Sequence, residues 1–250
     1  MSPRQKFMKF ASETGVRSSG SDPVLVIMAK APRPGEVKTR LTPSLSPEAV
    51  TAFYCCLLND TLALARSLSD VEVAIMCPPS HVKELAQLVG NEARVVAQHG
   101  EGLAAGLSSV FAHFASAGRQ RVVAFNSDSP HLPASVLRSA FDALTGNDLV
   151  VGPTEDGGYY LVGAKLAHPA LFDGDGLGTK SALEALLARA RELRLSIGFT
   201  DPFYDIDVEG DLTRLAAELR LAPARAPRTA VWLREWGPAV AQSPTRSGDL

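Results

Sequence analysis

The sequence predicts an α/β protein, a mostly parallel mixed sheet of about seven strands with helices on both faces. Short apolar runs alternate with stretches of helical period through the first half of the chain. The first run leads into a loop carrying Lys30, Arg33, Lys38 and Arg40, and the fourth ends in a carboxylate, Asp128. After residue 148 the order breaks, and two strands follow closely through Glu155-Asp-Gly-Gly158, which predicts an antiparallel excursion at the edge of a pocket.

The expected elements run as follows. Val24-Leu-Val-Ile-Met opens the sheet, with a strand over about 24–29. Ser46-Pro47 is a helix start, a capping hydroxyl followed by proline in the first turn, and the helical period continues over 47–67. Strands over 71–77 and 94–97 flank a helix over 80–89. A helix over 102–116 leads to the strand 121–127 and a helix over 133–144. The pair 148–152 and 158–163 precedes a helix over 179–194, a strand over 195–199 and a helix over 208–220.

Composition narrows the function. With 250 residues, 46% hydrophobic and 21% charged, the chain is an ordinary soluble protein, read as one domain over 23–221 with a flexible 1–22 segment and a partly mobile extension over 222–250. Within the extension, Thr229 to Trp236 suits a short amphipathic helix docked on the domain, its tryptophans filling a groove. A net charge of -2 argues against a nucleic-acid partner. No apolar run reaches ~20 residues and the polar start lacks a signal peptide, so no membrane partner and a cytoplasmic location are expected. Cys55, Cys56 and Cys77 form no CxxC pair and read as buried thiols; the five histidines lack ligand spacing. Of these, His131 lies nearest a candidate metal site.

Positive charge is local. The first strand runs into a loop carrying Lys30, Arg33, Lys38 and Arg40, where open sheets bind ligands. Gly35-Glu-Val-Lys-Thr39 lacks Walker spacing, and Gly100, Gly102 and Gly106 miss the dinucleotide spacing. Because Pro32, Pro34 and Pro43 each remove a backbone donor, side chains must supply the grip on phosphate, lysine as a point charge and arginine as a planar fork. A solvated, proline-rich connection is the alternative.

Carboxylates fall where a cation would be needed. Asp128 ends the apolar strand Val122-Val-Ala-Phe-Asn; if strands one and four are neighbours, it faces the same phosphates. Mg²⁺ or Mn²⁺, held by one or two carboxylates and a diphosphate, would reconcile the two anions. A turn or helix cap is the other role for Asp128. In Asp205-Ile-Asp207 both carboxylates point one way along an extended segment; Asp205 reads as the freer ligand, and Asp207 is also placed to cap the next helix. In Gly152-Pro-Thr-Glu-Asp-Gly-Gly-Tyr-Tyr160, Asp156 could take a proton from an acceptor hydroxyl, with Tyr159 or Tyr160 on the wall.

Taken together, AKAPRPGEVKTRL, NSDSP, GPTEDGGYYLVG and DIDVEGDL resemble a bacterial family of glycosyltransferase-A-fold proteins to which glycosyl transfer is ascribed, some within arsenosugar biosynthesis. The likeness spans about 24–220. It implies a single Rossmann-like nucleotide-diphospho-sugar transferase domain, a divalent metal at Asp128, and Lys30, Lys38 and Arg40 near phosphate. Related guanylyltransferases share the architecture, a similar basic loop and an Asp-containing segment like Asp205-Ile-Asp207. Two departures stand out: Gln98-His-Gly-Glu-Gly-Leu lacks the family's arginine, and Gly176-Leu-Gly-Thr-Lys180 lacks its tryptophan.

Three functions are consistent with these residues. The first is metal-dependent transfer of a sugar from a nucleotide-diphosphate-sugar to a small hydroxyl acceptor, with Lys38, Arg40 and Asp156 catalytic. In it Ala29, Lys30, Gly35, Lys38, Arg40, Gly157, Gly158 and Tyr159 hold the nucleotide, and Asp128, Asp205 and Asp207 hold Mg²⁺ or Mn²⁺. The second is nucleotidyl transfer from a nucleoside triphosphate to a phosphorylated small molecule, with pyrophosphate leaving. The third is a non-catalytic nucleotide-binding module.

Overall fold

A computed structural model describes residues 23–173 and 181–240, with side chains described as far as Glu235. The 1–22 segment and Gly176-Leu-Gly-Thr-Lys180 lie outside the described residues. Among the described residues, seven strands, β1 (Val24–Met28), β2 (Glu72–Cys77), β3 (Arg94–Ala97), β4 (Val122–Asn126), β5 (Leu149–Pro153), β6 (Tyr159–Ala164) and β7 (Ile197–Phe199), form a single sheet. Their order is β3-β2-β1-β4-β6-β5-β7, and only β6 runs against its neighbours. The β5–β6 hairpin is the antiparallel excursion expected at Glu155–Gly158.

Among the described residues, seven α-helices cover both faces: α1 (Pro47–Arg66), α2 (Val82–Val89), α3 (Gly102–Ser116), α4 (Ala134–Gly146), α5 (Ala182–Glu192), α6 (Glu209–Leu221) and α7 (Pro227–Val240). The period of two along the central strands decides which helix meets which side chain. Leu25, Ile27, Ile75, Val123 and Phe125 point into one core with α1, α2, α4, α6 and α7. Val24, Val26, Ala74, Met76, Val122 and Ala124 point into the other, with α3 and α5. Helix α1 starts as the sequence indicates, with the Ser46 hydroxyl accepting from the Ala49 N–H at 3.2 Å. It buries Phe53, Leu57 and Leu58, each a side chain whose removal from water contributes about 1.5–3 kcal/mol.

Topology positions the site. Strand β1 pairs in parallel with β2 on one side and β4 on the other, with Met28 opposite both Met76 and Asn126. The crossovers leave β1 in opposite directions, so a crevice opens between the carboxyl ends of β1 and β4, the switch point of an open parallel sheet. The basic loop and Asp128 leave those two ends.

Candidate active site

The β1–α1 loop is held down before it reaches the crevice. Arg33 grips both carboxyl oxygens of Glu84 on α2, with its shortest contact at 2.6 Å, and donates to the Ser80 carbonyl at 2.9 Å. It therefore anchors the loop, whereas the sequence groups it with the phosphate-binding cations. The Ala31 N–H donates to Nδ1 of His81 at 2.8 Å. Burial, then the charge of Arg33, holds the His81 pKa below its ordinary value, which keeps that nitrogen an acceptor.

Beyond this anchor the chain turns inward. Lys38 adopts left-handed backbone angles, φ 46° and ψ 40°, just before a 3-10 turn over Thr39–Leu41. Its side chain, 5% exposed, places Nζ 2.9 Å from Asp128 Oδ2 and 2.9 Å from Asp207 Oδ1. Burial works against the ammonium, but the charges of Asp128 and Asp207 overcome it and raise the Lys38 pKa, so it stays protonated. Arg40, largely exposed, reaches Asp207 Oδ2 at 3.2 Å.

The β4 end is ordered by a polar network. The Asn126 amide donates to Asp205 Oδ1 at 2.6 Å, and the Ser129 hydroxyl donates to the same oxygen at 3.1 Å. Burial, then the charge of Asp128, pushes the Asp205 pKa up to about 6. Tyr54 of α1 joins the two strand ends. Its hydroxyl accepts from the Lys30 N–H at 3.1 Å and lies 3.1 Å from the Ser127 hydroxyl.

These groups line a cleft of about 930 Å³ that takes in Ala29, Lys30, Lys38, Arg40, Tyr54, Asp128, Tyr159, Asp205 and Asp207. Gly35, Asp156, Gly157 and Gly158 are not among its lining residues. Asp156 Oδ1 instead accepts from the Thr154 hydroxyl at 2.6 Å and the Gly158 N–H at 3.2 Å, shaping the hairpin, and the Thr154 bond leads in holding its pKa low. One further expectation is corrected: Asp207 does not cap α6. Asp211 does, accepting from the N–H groups of Asp207 and Val208 at 2.8 Å each. Asp205 takes its hydrogen bonds from Asn126 and Ser129 on Oδ1, whereas both oxygens of Asp207 are ion-paired, to Lys38 and Arg40. His131 is fully buried against Phe203 and Tyr204 and is absent from the cleft lining.

Tyr54, His81, Asn126 and Ser129 were not legible as site residues. Asn126 and Ser129 sit inside the NSDSP run, where their position beside a strand-end aspartate is a usable signal. Tyr54 and His81 carry none, because their roles depend on how α1 and the start of α2 pack.

Among the described residues no group of three histidine, cysteine or acidic side chains could hold a metal ion alone. Mg²⁺ needs less, since it binds through one or two carboxylates and completes its shell with phosphate oxygens and water. The residues fit that demand. Asp128 turns Oδ2 to Lys38 and leaves Oδ1 with a long 3.4 Å contact to the Ser127 hydroxyl. The Asp128 charge also helps raise the Asp205 pKa, a repulsion that a cation between them would relieve.

An open α/β sheet with a cation-and-carboxylate cleft at its switch point defines a Rossmann-like fold of the nucleotide-diphospho-sugar transferase type. A protein-family model described as an uncharacterized protein conserved in bacteria (DUF2064) matches residues 61–179. The structure is similar to that of a protein from Desulfovibrio desulfuricans G20 assigned provisionally to the nucleotide-diphospho-sugar transferases. The two are 26% identical, with TM-score 0.82, over 89% of this chain and 98% of that one. A nucleotidyl transferase from Methanothermobacter thermautotroptrophicus shares the fold at 19% identity and TM-score 0.57, over 80% of this chain and 99% of its own. So does a cytidylyltransferase from Leptospira borgpetersenii serovar Hardjo-bovis, at 10% and 0.53, over 91% and 100%. No curated protein matches the chain. These likenesses bear out the resemblance carried by the four motifs.

Proposed function

We propose that the chain is a nucleotide-dependent transferase that moves a sugar from a nucleotide-diphosphate-sugar to the hydroxyl of a small molecule. One observation carries this: Lys38 and Arg40 converge with Asp128 and Asp207 in one cleft at the β1–β4 switch point. Likeness to the Desulfovibrio protein supports the donor class. Lys30, Lys38 and Arg40 bind the diphosphate and stabilise the charge that grows on it as the sugar departs. Asp128 and Asp205, with Asp207 beside them, are the residues that would hold Mg²⁺ or Mn²⁺, which would supply further neutralisation of the leaving diphosphate. Tyr159 walls the cleft, and in this reading Asp156, on the β5–β6 hairpin outside the cleft lining, would have to turn toward the acceptor to take its proton.

The tethered state of Asp156 favours a second reading. Its Oδ1 is engaged and its pKa is held low, which makes it a weak base. A phosphorylated acceptor needs no deprotonation, so nucleotidyl transfer from a triphosphate would require only the cations. The two readings separate in one assay. Sugar nucleotides with hydroxyl acceptors, and triphosphates with sugar phosphates, are screened for nucleoside diphosphate and pyrophosphate release with and without Mn²⁺. Diphosphate release lost in Asp156→Asn supports glycosyl transfer; pyrophosphate release that survives it supports the second reading. Asp128→Ala should lower either activity at least 100-fold, by order of magnitude for a transition-state contact. Full activity in that variant would sink both, and binding without turnover of any pair would leave a nucleotide-binding module.

A further inference from the structure

Lys38 lies between two carboxylates of the cleft. Its ammonium touches Asp128 and Asp207 at the same 2.9 Å, inside a side chain that is 5% exposed. A buried lysine is costly unless its charge is matched, and here two aspartates match it. The backbone at Lys38 is left-handed, a conformation that residues other than glycine and asparagine seldom take without compensating contacts. The neighbouring chain is tied to the same acidic segment, since Arg40 reaches Asp207 and the Ser44 hydroxyl donates to Glu209 at 2.6 Å.

The two aspartates are not equally provided for. Asp207 has Arg40 as a second cation, whereas Lys38 is the cation paired with Asp128 among the described ion pairs. If Lys38 moved onto a phosphate, Asp207 would keep a partner. Asp128, its side chain 27% exposed, would lose its paired cation in a cleft it shares with Asp205, where like charges repel. An ammonium and a divalent ion cannot both sit against Asp128 without like-charge repulsion.

Resting on the nucleotide-and-metal reading above, we propose that Lys38 is the resident counter-cation of Asp128 and Asp207. It excludes divalent metal from the free protein and yields Asp128 to the metal only when a nucleotide diphosphate draws the ammonium onto its own phosphates. Nucleotide and metal then bind with positive coupling, each favouring the state the other selects. The positively charged side chain acts as a placeholder that prevents metal from entering an empty cleft.

Mn²⁺ alone, titrated by electron paramagnetic resonance of the free ion, tests this without any turnover. Lys38→Gln should bind Mn²⁺ at least ten times more tightly than the wild type, and Lys38→Arg, which keeps the charge, should bind as weakly as the wild type. Circular dichroism verifies that each variant is folded. Should Lys38→Gln fail to fold, ¹⁵N-lysine labelling of the wild type replaces it. The Lys38 ammonium resonance, assigned by its loss in Lys38→Arg, should shift when Mg²⁺ and each of ADP, GDP, CDP and UDP are added in turn. Equal or weaker Mn²⁺ binding by a folded Lys38→Gln would overturn the proposal, and so would an unmoved resonance under conditions where a nucleotide measurably binds. If the wild type nevertheless binds Mn²⁺ together with a nucleotide, the functional reading survives that failure. No metal binding by any form, with or without nucleotide, would remove both.

Discussion

Tyr54 and His131 show how differently two buried polar side chains can act. The Tyr54 hydroxyl links the end of β1 to the end of β4 through Lys30 and Ser127. Burial, then the Asp128 charge, pushes its pKa up to about 12, so it remains a neutral donor and acceptor at any working pH. Tyr54→Phe leaves the Lys30 N–H without that acceptor, and should cost about 1–3 kcal/mol in the urea unfolding midpoint. Nucleotide binding should weaken as well, because the same bond holds the loop that carries Lys30. His131 is fully buried, and its ring nitrogens have no hydrogen-bond partner among the described residues; Glu218 stands 3.8 Å away. Burial, then the charges of Arg225 and Arg214, lowers its pKa to about 3. The unfolded chain thus takes up a proton near pH 6.5 that the folded chain refuses until about pH 3, so stability falls as pH drops through that window. Between pH 7 and pH 5 the loss from this one group is about 2 kcal/mol. His131→Phe should flatten that part of the urea-midpoint-versus-pH curve, and an unchanged slope would show that His131 is not its source.

Helix α7 is fixed by a residue 168 positions away in the chain. Asp60 on α1, 1% exposed, accepts from the Thr229 N–H and hydroxyl at 2.8 Å each and from the Arg228 N–H at 3.3 Å. It therefore serves the first turn of α7 as a cap supplied from another helix, where the negative charge also meets the positive end of the helix dipole. Trp232 completes the joint, its ring centroid 4.7 Å from that of Phe53. Asp60→Ala leaves buried donors unpaired and should destabilise by about 2–4 kcal/mol, read from the urea midpoint, with α7 amides losing hydrogen-exchange protection first. An amphipathic helix with a docking tryptophan was legible over Thr229 to Trp236, because period and aromatic content are local. The cap was not: Asp60 reads as one more polar residue on α1 until the two helices meet. The same limit applies to Arg33, whose charge is visible in the sequence while its partner Glu84 lies across a loop, a helix, a strand and a turn.

The sheet as a whole was legible because burial on both faces forces near-continuous apolar strands, and because crossover helices keep those strands parallel. The adjacency of β1 and β4 could only be stated as a condition, since strand order follows from packing rather than from any one segment; the pairing of Met28 with Asn126 meets it. That adjacency makes ligand binding a property of the whole molecule. A nucleotide and its metal would touch the β1 loop, the end of β4 and the segment before α6, three parts that come together only in the folded chain. A ligand that binds only the folded state stabilises it by mass action, about 2.7 kcal/mol at a hundredfold excess over its Kd. For a chain of this length that corresponds to a rise of roughly 5 °C in melting temperature. A panel of nucleotides and sugar nucleotides, each with and without Mn²⁺, should contain at least one ligand that gives such a rise, larger with the metal than the sum of the two separate shifts. Asp128→Ala should abolish the excess over the sum while leaving part of the nucleotide shift, because Lys30 and Arg40 still grip phosphate. Strictly additive shifts in the wild type would mean that nucleotide and metal occupy the cleft independently, and the bridging role of Asp128 would be lost.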